Sequence, residues 1–212
     1  MKRLCSVCCL VLAIWLSTAF FASAAGEGHF KEGDILFQSL NTSQSLAIRL
    51  ATKSEYTHCG IVFKKDGALF VYEAVQPVTW TLLERWIGRS KTGHYVLMRL
   101  KNRDAVLTPA VLAAMKKSGA PMKGKPYDLL FQWSDERIYC SELVWKIYQR
   151  GAGIELTPLR TFRDFDLNHA EVQRIARERY GAELPLDEKV VAPSDIMESA
   201  LLEVIGHGPK QP

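Results

Sequence analysis

The stretch IYCSELVWKIYQR, residues 138–150, places a cysteine at the start of an amphipathic helix. Leu143, Val144 and Ile147 recur at the spacing of one helix face. Cys140 precedes them, where the first backbone N–H groups of a helix have no internal partner and the helix dipole stabilises a thiolate. Cys140 is therefore either a nucleophile or one half of a structural disulfide.

The predicted strand THCGIVF (57–63) supplies a candidate base for this cysteine. Of the five histidines, only His58 opens a well-patterned apolar strand. The next predicted strand is ALFVYEAV (68–75). The length of the loop between the two strands decides which residue of the second strand lies opposite His58. A four-residue loop places His58 opposite Glu73, whereas a two-residue turn at Asp66–Gly67 makes them diagonal neighbours on one face. An odd-length loop would put them on opposite faces.

Glu73 interrupts the apolar face of its strand, which also carries Leu69, Val71 and Val75. Since a half-buried carboxylate needs a cationic or N–H partner, His58 is the candidate. The carboxylate would then orient the imidazole, as the acidic member of a catalytic triad does. The three unusual residues predict a cysteine hydrolase. The alternatives are a structural histidine, a solvated glutamate and a cysteine that acts as a small buried hydrophobe.

A second cysteine, Cys59, adjoins His58 in the same strand. Successive strand residues point to opposite faces, so we expect Cys59 to face away from Cys140 and to fill the core if His58 faces it. A Cys59–Cys140 disulfide stays open as the alternative, because these are the only cysteines after residue 24.

The first 24 residues are typical of a secretory signal peptide. Lys2 and Arg3 precede an apolar run from Leu4, and residues 22–24 are small, as a cleavage site requires. We expect export to the periplasm or secretion, with one domain at residues 25–212. An uncut segment that anchors the protein in a membrane is the alternative.

The mature chain would have 188 residues, which suits one domain with a sizeable core. Loss of Lys2 and Arg3 lowers the formal net charge from +4 to +2, so we expect no nucleic-acid partner. We also expect no stable membrane insertion after cleavage. Neither CxxC nor HExxH spacing occurs after residue 24, so no metal site is predicted. The sequence does not indicate an oligomeric state.

Hydrophobic periodicity predicts an α+β protein. Helices accompany a mainly antiparallel sheet, without the regular alternation of strand and helix that parallel sheets require. Thr108 and Pro109 are predicted as N-cap and first residue of one helix, and Asn168 as the cap of another. The predicted strands are 33–40, 57–63, 68–75 and 94–100. The predicted helices are 41–52, 77–90, 109–119, 140–150, 169–181 and 194–205.

Four segments carry a resemblance to a known family: GDILFQSLNTSQSLAIRLAT (33–52), YTHCGIVF (56–63), VYEAVQPV (71–78) and YCSELVWKIY (139–148). In this order they resemble the YiiX/YaeF-type permuted papain-like amidases, in the NlpC-like branch of the papain-fold cysteine peptidases. Ordinary members place the cysteine helix before the histidine strand. Here the histidine comes first, so the resemblance implies a circularly permuted papain-like fold over nearly the whole mature chain.

The resemblance implies a catalytic triad of Cys140, His58 and Glu73, the same residues found above. It also implies that Tyr127 lies beside the oxyanion, although a loop aromatic that packs on the core is the alternative. Tyr139 stands where such relatives often have an aspartate, which puts their substrate contacts in doubt but not the nucleophile. The implied reaction cleaves an amide bond through a thioester acyl-enzyme and needs no metal or cofactor.

The expected substrate is a peptide, in particular one derived from the cell wall, or an N-acylated small molecule. The alternatives are a lipid-directed acyl hydrolase or acyltransferase, and a non-catalytic module that binds an envelope component. An apolar patch beside Cys140 would favour lipids, a polar cleft with an arginine would favour peptides, and a disulfide at Cys140 would favour the module. The candidate aromatic residues are Phe131, Trp133, Trp80 and Trp86. The candidate arginines are Arg85, Arg89 and Arg137.

Overall fold

A computed structural model describes residues 29–90 and 93–208 of the chain. The predicted signal peptide and the boundary after residue 24 lie outside the described residues. Within the described ranges, no helix is long and apolar enough to span a membrane.

A six-stranded sheet forms the centre of the fold, and all its strand pairs are antiparallel. The spatial order is β4-β3-β2-β1-β5-β8, and β6 and β7 form a separate two-stranded sheet. The predicted antiparallel α+β architecture is confirmed. The strands are β1 (Ile35–Gln38), β2 (His58–Lys65), β3 (Ala68–Glu73), β4 (Thr79–Leu82), β5 (Val96–Leu100), β6 (Arg160–Thr161), β7 (Lys189–Val190) and β8 (Leu202–His207).

Seven α-helices surround or cap the sheet within the described residues. The longest, α5, packs on β2 and against α4, while α6 packs on α1 at one end of the molecule. Thr108 caps α4 as predicted, and its hydroxyl accepts from the Val111 backbone N–H at 3.3 Å. The helices are α1 (Ser43–Thr52), α2 (Leu83–Ile87), α3 (Arg103–Val106), α4 (Pro109–Gly119), α5 (Cys140–Ala152), α6 (Ala170–Tyr180) and α7 (Pro193–Met197).

Alternation along β2 divides the core between the two faces of the sheet. Cys59, Ile61 and Phe63 belong to the cluster that includes the apolar face of α5. Val62 belongs to the opposite cluster, which includes Trp86 of α2. His58 shares the parity of Val62 but stands at the first position of the strand, so its side chain lies at the end of the sheet.

The turn between β2 and β3 has two residues, as one of the predicted registers required. Asp66 and Gly67 have φ of 51° and 84°, and Lys65 pairs with Ala68. Positive φ at both central residues is the conformation that matches the twist of a tight hairpin. His58 and Glu73 are therefore diagonal neighbours on one face of the sheet.

Two predicted helices are partly wrong. In each case part of the segment forms a strand that pairs with the sheet. In the stretch 77–90 only α2 is helical, since Thr79–Leu82 pairs with β3. In the stretch 194–205 the helix ends at Met197, and Leu202–His207 pairs with β5. The sheet edges offer backbone hydrogen bonds that local periodicity does not reveal.

The cap of α6 also differs from the prediction. His169, not Asn168, is the N-cap, and its Nδ1 accepts from the Glu171 backbone N–H at 3.1 Å. A ring nitrogen satisfies an unpaired N–H of the first turn here, a role that sequence preferences assign to Asn, Asp, Ser or Thr.

Gly60 keeps β2 close to β3 beside the His58–Glu73 pair, which generates a stability prediction. A Cβ at this position would lie 2.5 Å from Val71 Cγ1 and 3.2 Å from Glu73 Cβ. Gly60→Ala should therefore lower the free energy of unfolding by about 1–3 kcal/mol, although alanine is otherwise better than glycine in a strand. Urea unfolding measures this change.

The matched control is Lys64→Ala on the same strand, where the side chain is exposed. This control should change the free energy of unfolding by less than about 0.5 kcal/mol. If Gly60→Ala is as stable as the wild type, the close approach of β2 and β3 is wrong.

Candidate active site

Cys140 is the first residue of α5, and its side chain is buried with 2% of its surface exposed. Glu142 fixes this end of the helix, because its carboxyl Oε2 accepts from the Tyr139 backbone N–H at 3.1 Å. The sulfur thus lies at the positive end of a 13-residue helix dipole, as the sequence predicted.

His58 and Glu73 form the predicted pair. The Nε2 atom of His58 lies 2.6 Å from Oε2 of Glu73, and the two side chains are 3% and 0% exposed. Since Glu73 occupies Nε2, Nδ1 is the ring nitrogen left for the Cys140 sulfur. The structure thus brings together Cys140, His58 and Glu73, the three residues predicted as a triad.

Three further side chains bind Glu73, and sequence reasoning did not assign this role to any of them. Arg89 donates to both carboxylate oxygens at 2.8 and 2.7 Å. Trp86 Nε1 donates to Oε2 at 2.9 Å, and Thr81 Oγ1 donates to Oε1 at 2.5 Å. Arg89 was a candidate for a substrate carboxylate, but its guanidinium holds the carboxylate of Glu73 instead.

These contacts keep Glu73 ionised at the end of the sheet. Burial by itself raises the pKa of Glu73, but hydrogen bonds from His58 and Arg89 outweigh it and lower the pKa to about 2. A carboxylate that accepts several charge-assisted hydrogen bonds stays charged even without solvent. Glu73 is therefore an anion that can orient and stabilise an imidazolium.

The electrostatics favour a thiolate–imidazolium pair. Hydrogen bonding with Cys59, then with His58, lowers the pKa of Cys140 well below its usual value against the opposing effect of burial. Burial lowers the pKa of His58, but its hydrogen bonds with Cys140 and Glu73 outweigh burial and raise the pKa to about 9. A deprotonated sulfur beside a protonated ring is the reactive state of a cysteine hydrolase.

The prediction that Cys59 faces away from Cys140 is wrong. Cys59 is buried in the core as predicted, but on the face of the sheet on which α5 packs, in the same cluster as Cys140. The side chains of His58 and Cys59 can both lie near Cys140, because the first residue of α5 lies beside the first residues of β2. The two cysteines are nevertheless free, so the predicted alternative of a disulfide is not observed.

Tyr127 reaches the same sulfur from a loop. Its hydroxyl donates to Cys140 Sγ at 4.0 Å, and it accepts from Gln44 Nε2 at 3.1 Å. The backbone of Tyr127 is fixed by a bridge to Ile138 and by a hydrogen bond from its N–H to Gln76 Oε1 at 2.6 Å. Tyr127 therefore lies where the resemblance placed it, beside the nucleophile.

An apolar cavity opens on one side of Cys140. The space between its walls is about 820 Å³, a volume that includes open solvent. Its walls come from α1, α6 and residues 190–193, and they are almost entirely apolar. Its aromatic residues are Phe131, Phe162, Phe165, Tyr139 and Tyr180.

Of the four aromatic residues predicted as candidates for such a pocket, only Phe131 lines this cavity. Trp86 is fully buried and binds Glu73, while Trp80 packs on Tyr72 at 4.5 Å between ring centroids. Trp133 packs on Trp145 at 5.3 Å. Of the other aromatic walls, Tyr139 directly precedes Cys140, whereas Phe162, Phe165 and Tyr180 come from the last third of the chain, where no sequence pattern connected them with Cys140.

A second, more polar cleft opens on the His58 side. Its polar lining residues, besides His58 and Tyr127, are Thr42, Gln44, Ser45, Thr57, Gln76 and Arg137, and the apolar residues Leu40, Ile48, Ala74, Val75, Pro126 and Leu129 complete the walls. Arg137 is the candidate arginine that lines this cleft. Arg85 lies on α2 and lines neither space. Gln44 lines both spaces, whereas Cys140 lines the apolar cavity and its neighbours His58 and Tyr127 line the second cleft.

A buried cysteine at a helix start, a histidine strand that precedes it in the chain, and an antiparallel sheet define a permuted papain-like cysteine hydrolase. The family described as the permuted papain-like amidases YaeF/YiiX, peptidase family C92, matches residues 29–206. This chain belongs to that family of papain-like cysteine amidases, so the predicted family, fold and enzyme class are confirmed.

Two relatives illustrate how far the likeness extends. The uncharacterized protein YiiX of Escherichia coli strain K12 is 38% identical over 196 residues, which cover 92% of this chain and 93% of the relative. A crystal structure of YiiX from Escherichia coli O157:H7, described as a metalloprotein, superposes with a TM-score of 0.78 at 39% identity. It covers 83% of this chain and 96% of its own.

The contact between the two cysteines yields a first prediction for the site. Cys59→Ala removes the thiol that stabilises the Cys140 thiolate, so the pKa of Cys140 should rise. The midpoint of iodoacetamide labelling of Cys140, followed from pH 5 to 9 by peptide mass spectrometry, should move to higher pH. Cys59→Ser keeps a donor and should restore the profile at least in part. An unchanged profile in Cys59→Ala would contradict this role.

The Glu73 carboxylate yields a second prediction. Glu73→Gln keeps the shape but removes a charge that, after hydrogen bonding with Cys140, contributes to raising the pKa of His58 to about 9. The imidazolium is present below its pKa, so catalysis that needs it is lost as pH rises through that value. The basic limb of the kcat/KM profile should therefore move below pH 9 in Glu73→Gln. Asp104→Asn, at an exposed carboxylate on α3, should leave the limb in place.

Proposed function

We propose that this papain-like cysteine amidase hydrolyses N-acyl amino acids or N-acyl peptides that carry an apolar acyl group, with Cys140 as nucleophile. The observation that carries the proposal is that Cys140 lines the apolar cavity, while His58 and Tyr127, which lie beside its sulfur, line the second and more polar cleft. The acyl group fits the apolar side. The amine half, which His58 must protonate, fits the polar side.

The proposed reaction begins with attack of the Cys140 thiolate on the amide carbonyl carbon. The oxyanion that forms accepts hydrogen bonds from the Tyr127 hydroxyl and from the first-turn backbone N–H of Cys140, which has no acceptor within its helix. His58, held by Glu73, transfers its proton to the amide nitrogen. The C–N bond then breaks, the amine leaves, and the acyl group remains on sulfur as a thioester.

Water completes the proposed cycle. The neutral His58 takes a proton from the water while the water oxygen attacks the thioester carbonyl. The second tetrahedral intermediate collapses, the C–S bond breaks, and the carboxylic acid leaves with the thiolate and imidazolium restored. An alcohol or amine in place of water would give acyl transfer, so the same site also supports an acyltransferase.

Arg137 supports an amino acid or peptide as the leaving group. Its side chain lines the cleft on the His58 side, and a guanidinium binds a carboxylate through two parallel hydrogen bonds. The acyl group alone would suit a lipid ester equally well, so the lipid-directed alternative shares the apolar cavity. The free state of Cys140 and the contact of His58 with Glu73 favour a catalyst over the binding module.

We also propose that the enzyme acts outside the cytoplasm. Support for this comes from the pattern of residues 1–24. Acyl peptides of the cell envelope would then be accessible substrates.

The description of the Escherichia coli O157:H7 relative as a metalloprotein concerns that protein. In this chain, over residues 29–90 and 93–208, no three His, Cys, Asp or Glu side chains are grouped so that they would hold a metal ion. The residues described therefore do not fit such a site, and no step of the proposed reaction passes through a metal.

The proposal predicts a dependence on acyl chain length. For N-acyl glycines, kcat/KM should rise from acetyl to medium-chain acyl groups as apolar surface enters the cavity, by about threefold to fourfold per added CH₂ group. Ala176 lines the cavity, so Ala176→Phe should abolish this rise and leave the acetyl compound unaffected. Cys140→Ala should remove all turnover. A steady preference for unacylated peptides would contradict the proposed substrate.

A separate prediction concerns the carboxylate. Arg137→Gln should raise KM for N-acyl glycine about tenfold or more with little change in kcat, because a charge-assisted hydrogen bond is lost. The corresponding glycine amide, which lacks the carboxylate, should be hydrolysed equally by both proteins. Arg85→Gln serves as the matched control. Equal losses for the acid and the amide would show that Arg137 does not bind the carboxylate.

A further inference from the structure

A chain of three hydrogen bonds leads from α6 to the sulfur of Cys140. Arg179 Nη2 donates to Gln44 Oε1 at 3.2 Å, and Gln44 Nε2 donates to the Tyr127 hydroxyl at 3.1 Å. The hydroxyl in turn donates to Cys140 Sγ at 4.0 Å. Four segments distant in the sequence thus meet in one line of contacts.

The guanidinium of Arg179 determines which group donates and which accepts in all three hydrogen bonds. A guanidinium has donors only, so the atom of Gln44 that faces Arg179 must be the amide oxygen. The amide NH₂ of Gln44 must then face Tyr127. Because the tyrosine oxygen accepts this N–H, its own proton points away from Gln44, toward Cys140.

Arg179 is itself held in place. Its Nη1 donates to the Leu129 carbonyl at 3.0 Å, and its guanidinium lies 5.8 Å from the centre of the Phe131 ring. Gln44 is in the first turn of α1, whose N-cap Thr42 accepts from the Ser45 N–H at 3.1 Å. Packing of α6 on α1 therefore determines the orientation of the amide.

We propose that Gln44, oriented by Arg179, is a positioning residue that directs the Tyr127 hydroxyl proton toward the Cys140 sulfur and the oxyanion. Its catalytic consequence rests on the proposed function, whereas its effect on the thiolate does not. Without this orientation the hydroxyl could turn its proton to another acceptor. A donor fixed in advance costs no reorganisation when negative charge develops on oxygen.

Gln44→Glu tests the direction of the hydrogen bonds from Gln44 to Tyr127 and from Tyr127 to Cys140. The substitution keeps the size of the side chain but replaces the NH₂ donor with an acceptor. The carboxylate would accept from Arg179 and from the Tyr127 hydroxyl, so the hydroxyl proton would turn away from Cys140. Tyr127→Phe removes the proton altogether. The double variant completes a cycle that separates an effect transmitted through the tyrosine from a direct effect of the new charge.

The first readout is the pH profile of iodoacetamide labelling of Cys140, which needs no substrate. The ionisable groups that face this sulfur are His58 and Cys59 from β2 and Tyr127 from its loop, with Glu73 and Arg89 behind His58. Gln44→Glu should move the midpoint to higher pH. The shift should be at least halved on the Tyr127→Phe background, and equal shifts on both backgrounds would overturn the proposal.

The second readout is hydrolysis of a medium-chain N-acyl glycine. Gln44→Glu and Tyr127→Phe should each lower kcat by about 10²-fold with KM nearly unchanged, and the double variant should be no slower than the slower single variant. Arg179→Met should lower kcat less, since Gln44 becomes free to adopt both orientations. A rise in KM with unchanged kcat in Arg179→Met would assign this residue to substrate binding and overturn its positioning role.

The two readouts separate the proposals. If the wild type labels at low pH but hydrolyses no acyl amide, the proposed function fails while the labelling cycle still decides on Gln44. If hydrolysis proceeds and both cycles are additive, the proposed function stands and the positioning role of Gln44 is wrong.

Discussion

The carboxylate of Glu73 is ionised at a position with no solvent exposure, and the site is arranged around this charge. A buried ion loses hydration worth several kcal/mol, so its partners must all be in place. They come from β2, β4, α2 and the turn just after α2, namely His58, Thr81, Trp86 and Arg89. The edge strand, the short helix and the strand that begins with His58 therefore cannot shift independently.

The same charge links stability to reactivity. Glu73 raises the pKa of His58, and the resulting imidazolium lowers the pKa of Cys140, although hydrogen bonding with Cys59 contributes more to the second effect. The charges alternate in sign along the line from Arg89 to the sulfur. Each neighbour stabilises the next, so the thiolate forms inside the protein, where an isolated buried thiol would stay protonated.

The sequence predicts those parts of the site that depend on which face of a strand or helix a residue occupies. The pairing of His58 with Glu73 follows from an even-numbered hairpin turn, and the position of Cys140 follows from one helix pattern. The contacts of Arg89 and Trp86 with Glu73 were not predicted, because the stretch 77–90 has the hydrophobic pattern of one helix. Its first half instead forms the edge strand β4 of the sheet. Arg179 and Gln44 are 135 positions apart, and only the packing of α6 on α1 brings them together. No local pattern encodes such a contact.

The geometry of the proposed catalytic residues depends on packing between elements rather than on any single stretch of sequence. The sulfur is held by the start of α5, the imidazole by the start of β2, and both ends meet because the apolar face of α5 packs on β2. Residues 66–139, which connect these two elements, complete the site with Glu73, Trp86, Arg89 and Tyr127. The arrangement of the thiolate, the imidazolium and the buried carboxylate therefore requires that α5, β2 and the residues between them pack together, and in this permuted family the histidine strand comes before the cysteine helix.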